Sequence, residues 1–237
     1  MFLRIRLSVL FICCVLIVNA QSINTHNLNI ESGLSSNYIR TIYKDSQGLI
    51  WIGTDTGLDR FDGSQITSYA KRFKTPLKGA IQSLVELNEN HFIVATSWGA
   101  FQYNVNRNEI IPVDFGFPTI DVRAVLKTRK GQIYFATDRG LFIFNNKKFS
   151  AKIVPLASTV TVSLTCMLED KEGNLWTAGT EGLFKIRPDK QIIRQDKIYP
   201  LGQNIKTMQL VENTLFLGTM RGLFTYNIQQ ELFQPVS

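Results

Sequence analysis

Histidine is nearly missing from these 237 residues; only His26 and His91 occur. General acid–base catalysis and histidine-held metals therefore have little to draw on. No metal-ligand spacing appears, and no G-x-S-x-G elbow marks a nucleophilic serine. The glycine-containing "GTDTG" at 53–57 is no phosphate loop, because it lacks the lysine and helix that phosphate binding requires. Lysine and arginine are never dense enough to form a nucleic-acid arm, although the formal net charge is +7. No apolar run after residue 20 could cross a bilayer, and almost nothing reads as a long amphipathic helix. These gaps predict no cofactor, no metal and no nucleic-acid partner.

The first twenty residues stand apart. Arg4 and Arg6 begin a charged segment, "LSVLFICCVLIV" is apolar, and Val18-Asn19-Ala20 offers a small-residue exit. That pattern predicts a signal peptide over residues 1–20, with a retained anchor as the alternative. A lipoprotein signal fits poorly, since Cys13 and Cys14 lie inside the apolar run. Cleavage after Ala20 would lower the net charge to +5 and leave Cys166 as the single cysteine, with no intramolecular disulfide to form. The chain is therefore expected to be exported.

The remainder repeats. "GLDRF" at Gly57 returns as "GAFQY" at Gly99, "GLFIF" at Gly140, "GLFKI" at Gly182 and "GLFTY" at Gly222, at spacings of 42, 41, 42 and 40 residues. Six positions before each glycine stands a bulky residue: Trp51, Ile93, Tyr134, Trp176 and Phe216. In the first unit, strands are expected at 39–45, 49–54, 58–61 and 65–70, divided by "DSQG", "TDTG" and "FDG". Four antiparallel strands in about forty residues is the period of a propeller blade.

The fold class is therefore all-β, a propeller of four-stranded antiparallel blades with five repeats visible. The units span approximately 39–80, 81–121, 122–163, 164–204 and 205–237 of a propeller region at 21–237, and 22–30 ("SINTHNLNI") reads as an extra N-terminal strand. The bulky column would fill the wedge between blades, and the glycines would permit the corner from second to third strand. A column of small residues, Thr41, Ser83, Ala124, Cys166 and Thr207, belongs on the innermost strands, where room is scarce. Cys166 reads as one of five small residues rather than a reactive thiol.

"GLSSNYIRTIYKDSQGLIWIGTDTGLDRFDG" (33–63) resembles the two-component regulator propeller repeat, and "LEDKEGNLWTAGTEGLFKI" in the fourth unit is similar. The other units are looser, with Ile93, Tyr134 and Phe216 in place of tryptophan. The resemblance implies the periplasmic sensor region of a hybrid two-component regulator that detects oligosaccharides from complex glycans. Such proteins carry two seven-bladed propellers, a dimerisation domain, a membrane helix, a kinase and a receiver. The chain stops at Ser237 after five units, so a truncated sensor, part of a seven-bladed ring, is expected; a closed five-bladed ring is the alternative. The implied partners are an oligosaccharide, a second copy in a homodimer, or a missing downstream sensor and kinase region.

The second-to-third corners and the inner-strand entrances lie on one end of a propeller. The corners offer Asp55, Trp98, Asp138, Arg139, Glu181 and Arg221; the entrances offer Arg40, Gln82, Arg123, Thr165 and Lys206. Singly, each reads as solvated surface. Together they would form a polar rim, with Trp98 as a platform for a sugar's C–H face. Arg123, Arg139, Lys206 and Arg221 would suit an anionic glycan. Two other readings compete: a protein-interaction scaffold, and a propeller-type glycan lyase or hydrolase. The paired carboxylates Asp55 and Glu181 fit the latter poorly, being separated by two intervening blades.

Overall fold

Twenty short strands make up the regular structure of the computed structural model, which describes residues 27–69, 77–156, 162–189, 191–194 and 204–236. They run Ile39–Lys44, Ile50–Thr54, Leu58–Phe61 and Ile66–Ser68 (β1–β4), then Ile81–Asn88, His91–Thr96, Gly99–Asn104 and Glu109–Pro112 (β5–β8). Val122–Lys127, Ile133–Thr137, Gly140–Asn145 and Ser150–Val154 follow (β9–β12), then Leu164–Glu169, Leu175–Gly179, Gly182–Ile186 and Ile192–Arg194 (β13–β16). Ile205–Val211, Thr214–Thr219, Gly222–Asn227 and Leu232–Pro235 complete the set (β17–β20). Each run of four is one antiparallel sheet in sequence order. The expected strands of the first unit fall within a residue or two of β1–β4. The expected strand at 22–30 does not extend over 27–30, which carry no strand; 22–26, with His26 and the signal region, lie outside the described residues.

Sheet packing explains the bulky column. Trp51 joins a core shared with Ile81, Leu84 and Phe92 of the second blade, and Ile93 joins one with Val122 and Phe135 of the third. Tyr134 packs with Leu164 and Phe184 of the fourth blade, and Trp176 with Ile205 and Leu217 of the fifth. Each column residue thus fills the space against the blade that follows it. No blade follows Phe216 among the described residues, and it is only partly buried. No core cluster among the described residues joins the fifth sheet to the first, and the blades form an open arc.

Tryptophan brings a polar demand that the repeat meets itself. Asp45 and Asp170, six residues before Trp51 and Trp176, each accept the buried indole N–H at 2.8 Å. The same carboxylates accept amide hydrogens of Gln47 and Leu49, or of Glu172 and Asn174, and so close the first hairpin of the blade. Units without tryptophan dispense with this aspartate. In the third, Thr128 exchanges hydrogen bonds with Gln132 instead.

The glycine column divides. Gly99, Gly140, Gly182 and Gly222 have φ of +146°, +121°, +115° and +119°, a backbone that side chains resist. Gly57 is not in this region, so the expected reason for its glycine fails in the first blade. The small inner column behaves as expected, each member facing another small residue: Gly53, Ala95, Ala136, Ala178 or Gly218. Burial pushes the Cys166 thiol up to about 11, away from thiolate reactivity.

Candidate ligand-binding site

A bulge recurs at the start of every innermost strand. Ile39 pairs with Thr54 and Thr41 with Gly53, leaving Arg40 unpaired between them. The same skip falls at Gln82, Arg123, Thr165 and Lys206. A bulge re-aims the side chain it carries. All five predicted entrance residues therefore sit on bulges, a feature no residue pattern had announced.

Three of these bulges tie blade to blade. The Gln82 amide donates to Asp121, whose other carboxylate oxygen accepts from Arg123 Nε at 2.9 Å. Arg123 donates onward to Ser163 Oγ at 2.7 Å, and Thr165 Oγ1 donates to the Ile205 carbonyl at 2.5 Å. This belt links the second blade to the third, the third to the fourth and the fourth to the fifth. Gln82 and Arg123 thus hold the arc together. Arg40 instead pairs with Asp55 of its own blade at 2.5 Å, and Lys206 is exposed on the fifth blade. An exposed ion pair such as Arg40–Asp55 contributes little to stability, because solvent screens it.

The corners are braced by a threonine column. Thr54, Thr96, Thr137 and Thr219 donate through Oγ1 to the carbonyls of Gly57, Gly99, Gly140 and Gly222. Each also accepts the amide hydrogen of the second corner residue: Thr56, Trp98, Arg139 or Arg221. In the fourth repeat Gly179 stands in the threonine's place. Asp138 is partly spoken for, since its carboxylate accepts the Asp121 amide hydrogen at 3.0 Å. Glu181 and Arg221 are exposed at their own corners. The predicted residues therefore share one end of the fold but do not converge on one point.

Of the predicted residues, Trp98 lines a cleft and Arg139 touches one of its walls through Phe117. Trp98, 53% exposed, stands beside this cleft of about 460 Å³ between the second and third blades, at the corner end. That volume lies in the range of about 300–1,000 Å³ usual for small-ligand sites. Across the cleft stands Phe117, 43% exposed, with the Arg139 guanidinium 4.6 Å from its ring centre. Lys78 Nζ lies 6.0 Å from the Trp98 ring centre. Each such exposed cation–ring contact contributes about 0.5–1 kcal/mol. The floor is apolar, with Ala100, Val113, Phe115 and Ile120 buried.

Local sequence sets the tryptophan's position. Ser97 and Ala80 exchange hydrogen bonds, pinning the corner to the linker before β5. Gly79 approaches so closely that a Cβ there would lie 2.8 Å from Trp98 Cδ1. Beyond β8, Val113–Phe115 leaves the second blade to lie along the outer strand of the third: Asp114 bridges Ser150, and its carbonyl accepts the Ala151 amide hydrogen. This crossing builds the far wall and brings Phe117 under Arg139. Phe117 and Lys78 escaped the sequence reading because both lie in linkers, outside the corner and entrance columns. The one signal was "DFGFP", an aromatic-rich linker too apolar for an ordinary solvated loop.

Residues 33–56 match the two component regulator propeller family. The chain carries a two component regulator propeller repeat. No curated protein matches it. Among solved structures, it is similar to the extracellular domain assigned to the hybrid two component system BT4673 from B. thetaiotaomicron, with 20% identity and a TM-score of 0.62 over 89% of this chain and 34% of that one. The BT3049 extracellular domain of the same organism shows 17% identity and a TM-score of 0.51, over 89% of this chain and 36% of that one. This propeller chain thus spans about a third of the length of those domains. A catalytically inactive H270A virginiamycin B lyase from Staphylococcus aureus is similar at 13% identity and a TM-score of 0.65, over 90% of this chain and 73% of that one. At such identities the likeness establishes the propeller architecture.

Proposed function

We propose that this chain is a non-catalytic sensor propeller that works outside the cytoplasm and receives an oligosaccharide at the corner end of its blades. The observation that carries this reading is the cleft between the second and third blades. It presents an exposed tryptophan and an exposed phenylalanine over an apolar floor, with polar groups at its edge, as recognition of a ring-shaped hydroxylated ligand requires. The family repeat at 33–56 and the extracellular domains of two component systems support the sensing role and the location. An N-terminal export signal belongs to the same proposal. No helix among the described residues is long and apolar enough to cross a membrane.

A catalytic reading has less behind it. His91 sits at the far end of the second blade, bonded to Asn104 Nδ2 at 2.8 Å and to the Glu89 carbonyl at 3.2 Å. Asp55 is engaged by Arg40. A scaffold role draws support from the fifth blade, where Leu223 and Val211 are exposed on the trailing side.

Titration of the whole chain with a panel of oligosaccharides, read by tryptophan fluorescence, tests the proposal. Trp51 and Trp176 are buried and Trp98 is exposed, so a ligand in the cleft changes the Trp98 emission selectively. Saturable change without product release is expected. Release of a cleaved glycan would restore the enzyme reading, and silence across the panel alongside self-association would favour the scaffold.

A further inference from the structure

We propose that the cleft between the second and third blades selects a carboxylate-bearing sugar unit, such as a uronate, with Arg139 and Lys78 as its anion partners; this rests on the oligosaccharide-sensing reading above. Arg40, Arg123 and Arg129 each have a carboxylate partner on the protein. Among the described residues, Arg139 and Lys78 have none, and each lies over an aromatic ring instead. A guanidinium resting on a ring is drawn readily to a carboxylate, which it can clasp through two parallel N–H···O bonds. Moving Arg139 to such an anion would also uncover the face of Phe117 for the ligand ring.

The remaining edge groups fit hydroxyls. Asp114 accepts the Gly116 amide hydrogen through Oδ1, and among the described residues its other oxygen has no donor, so it can accept a ligand O–H. Thr119 also lines the cleft, with a hydroxyl able to donate or accept. Lys78 and Asp114 balance each other in the cleft lining, and Arg139 on the Phe117 ring tips its border positive, while Asp114 penalises a ligand that is anionic throughout. A unit with one carboxylate and several hydroxyls satisfies all four groups. The residues the sequence reading grouped for an anion, Arg123, Arg139, Lys206 and Arg221, reduce here to Arg139. Arg123 is held in the belt, while Lys206 and Arg221 belong to the fifth blade.

The test compares two oligosaccharides of matched length, one neutral and one carrying uronic acid, with oligoglutamate as an acidic peptide control. Binding to the whole chain is measured by calorimetry and by Trp98 fluorescence at two salt concentrations. The uronate oligomer is expected to bind about tenfold or more tightly than its neutral counterpart, with that preference weakening in salt. Arg139→Gln should remove most of the preference, and Lys78→Gln should remove a smaller part. Both side chains are exposed, so unchanged circular dichroism serves as the folding check. Equal affinity for both sugars, or a preference that survives Arg139→Gln, overturns the inference and leaves the sensor reading intact. Failure of both sugars to bind overturns both readings. Oligoglutamate binding as tightly as the uronate would refute the sugar class.

Discussion

Removing the Asp170 carboxylate should be among the most damaging polar changes in this fold, although the residue lies far from the candidate cleft. Asp170 is 1% exposed and accepts four hydrogen bonds: from Trp176 Nε1, the Asn174 side chain, and the amides of Glu172 and Asn174. Asp170→Ala leaves the indole N–H of a fully buried tryptophan without a partner, which costs about 1–3 kcal/mol. The two turn amides lose their bonds as well, each worth about 0.5–1.5 kcal/mol where water replaces the acceptor poorly. A total loss of about 3–5 kcal/mol follows, which is a large share of the stability of an ordinary domain. Urea denaturation followed by circular dichroism measures it without relying on the tryptophan probe. Trp176→Phe removes the donor, so the double variant should recover about 1–3 kcal/mol relative to the sum of the single changes. A loss below about 0.5 kcal/mol for Asp170→Ala, or strict additivity with Trp176→Phe, would refute the pairing of the two residues.

The open arc makes equivalent column residues unequal: Trp176→Ala should cost about 3–5 kcal/mol in urea denaturation, whereas Phe216→Ala, facing no following blade among the described residues, should cost about 1–2 kcal/mol. Gly79→Ala should displace Trp98 through its close approach to Cδ1, shift the Trp98 emission and weaken oligosaccharide binding by calorimetry, without loss of the sheets by circular dichroism. Cys166 should be alkylated about a hundredfold more slowly at pH 8 in the folded chain than in urea, because burial raises its thiol from the ordinary 9.0 to about 11. The sign for stability follows: a raised folded value favours the native state below about pH 9 and loses that contribution as pH climbs toward 11. Wild-type denaturation minus that of Cys166→Ala should decline across that window.

What could be read from the residues alone was whatever recurs at fixed spacing. The glycine and bulky columns announced four-stranded blades, because turn chemistry and wedge packing repeat with each unit. The bracing threonines were equally legible, three positions before Gly57, Gly99, Gly140 and Gly222, as was the aspartate six positions before each repeat tryptophan. The bulges were not, since a residue left out of register looks like any other strand residue until its neighbour's pairing is known. Nor was the belt, because Gln82, Asp121, Arg123 and Ser163 meet only when sheets some forty residues apart are set side by side. Gly57 shows the opposite failure: one column held two backbone conformations, and identity of residue did not carry identity of cause.

The same contrast accounts for where the candidate site lies. Near the inner strands, a polar group lies within reach of the adjacent blade, and the structure uses that closeness: Gln82, Arg123 and Thr165 each bond across a junction. Side chains there satisfy one another and leave little for a ligand. Toward the outside the blades diverge, and the linker from β8 to β9 must span a widening gap. Between the second and third blades that linker carries Phe115 inward and Phe117 outward, so the gap is floored but not filled. Trp98 faces the remaining space, and Arg139, from the neighbouring corner, rests on Phe117 at its edge without the carboxylate partner that Arg123 finds. A ligand is therefore expected off the axis, where divergence leaves aromatic and cationic groups unmatched, and a substitution in the inner belt should change stability before it changes affinity. Arg123→Ala puts this to the test directly: it should lower the denaturation midpoint while leaving oligosaccharide affinity within about twofold of the parent chain. Loss of binding with unchanged stability would move the site back to the axis.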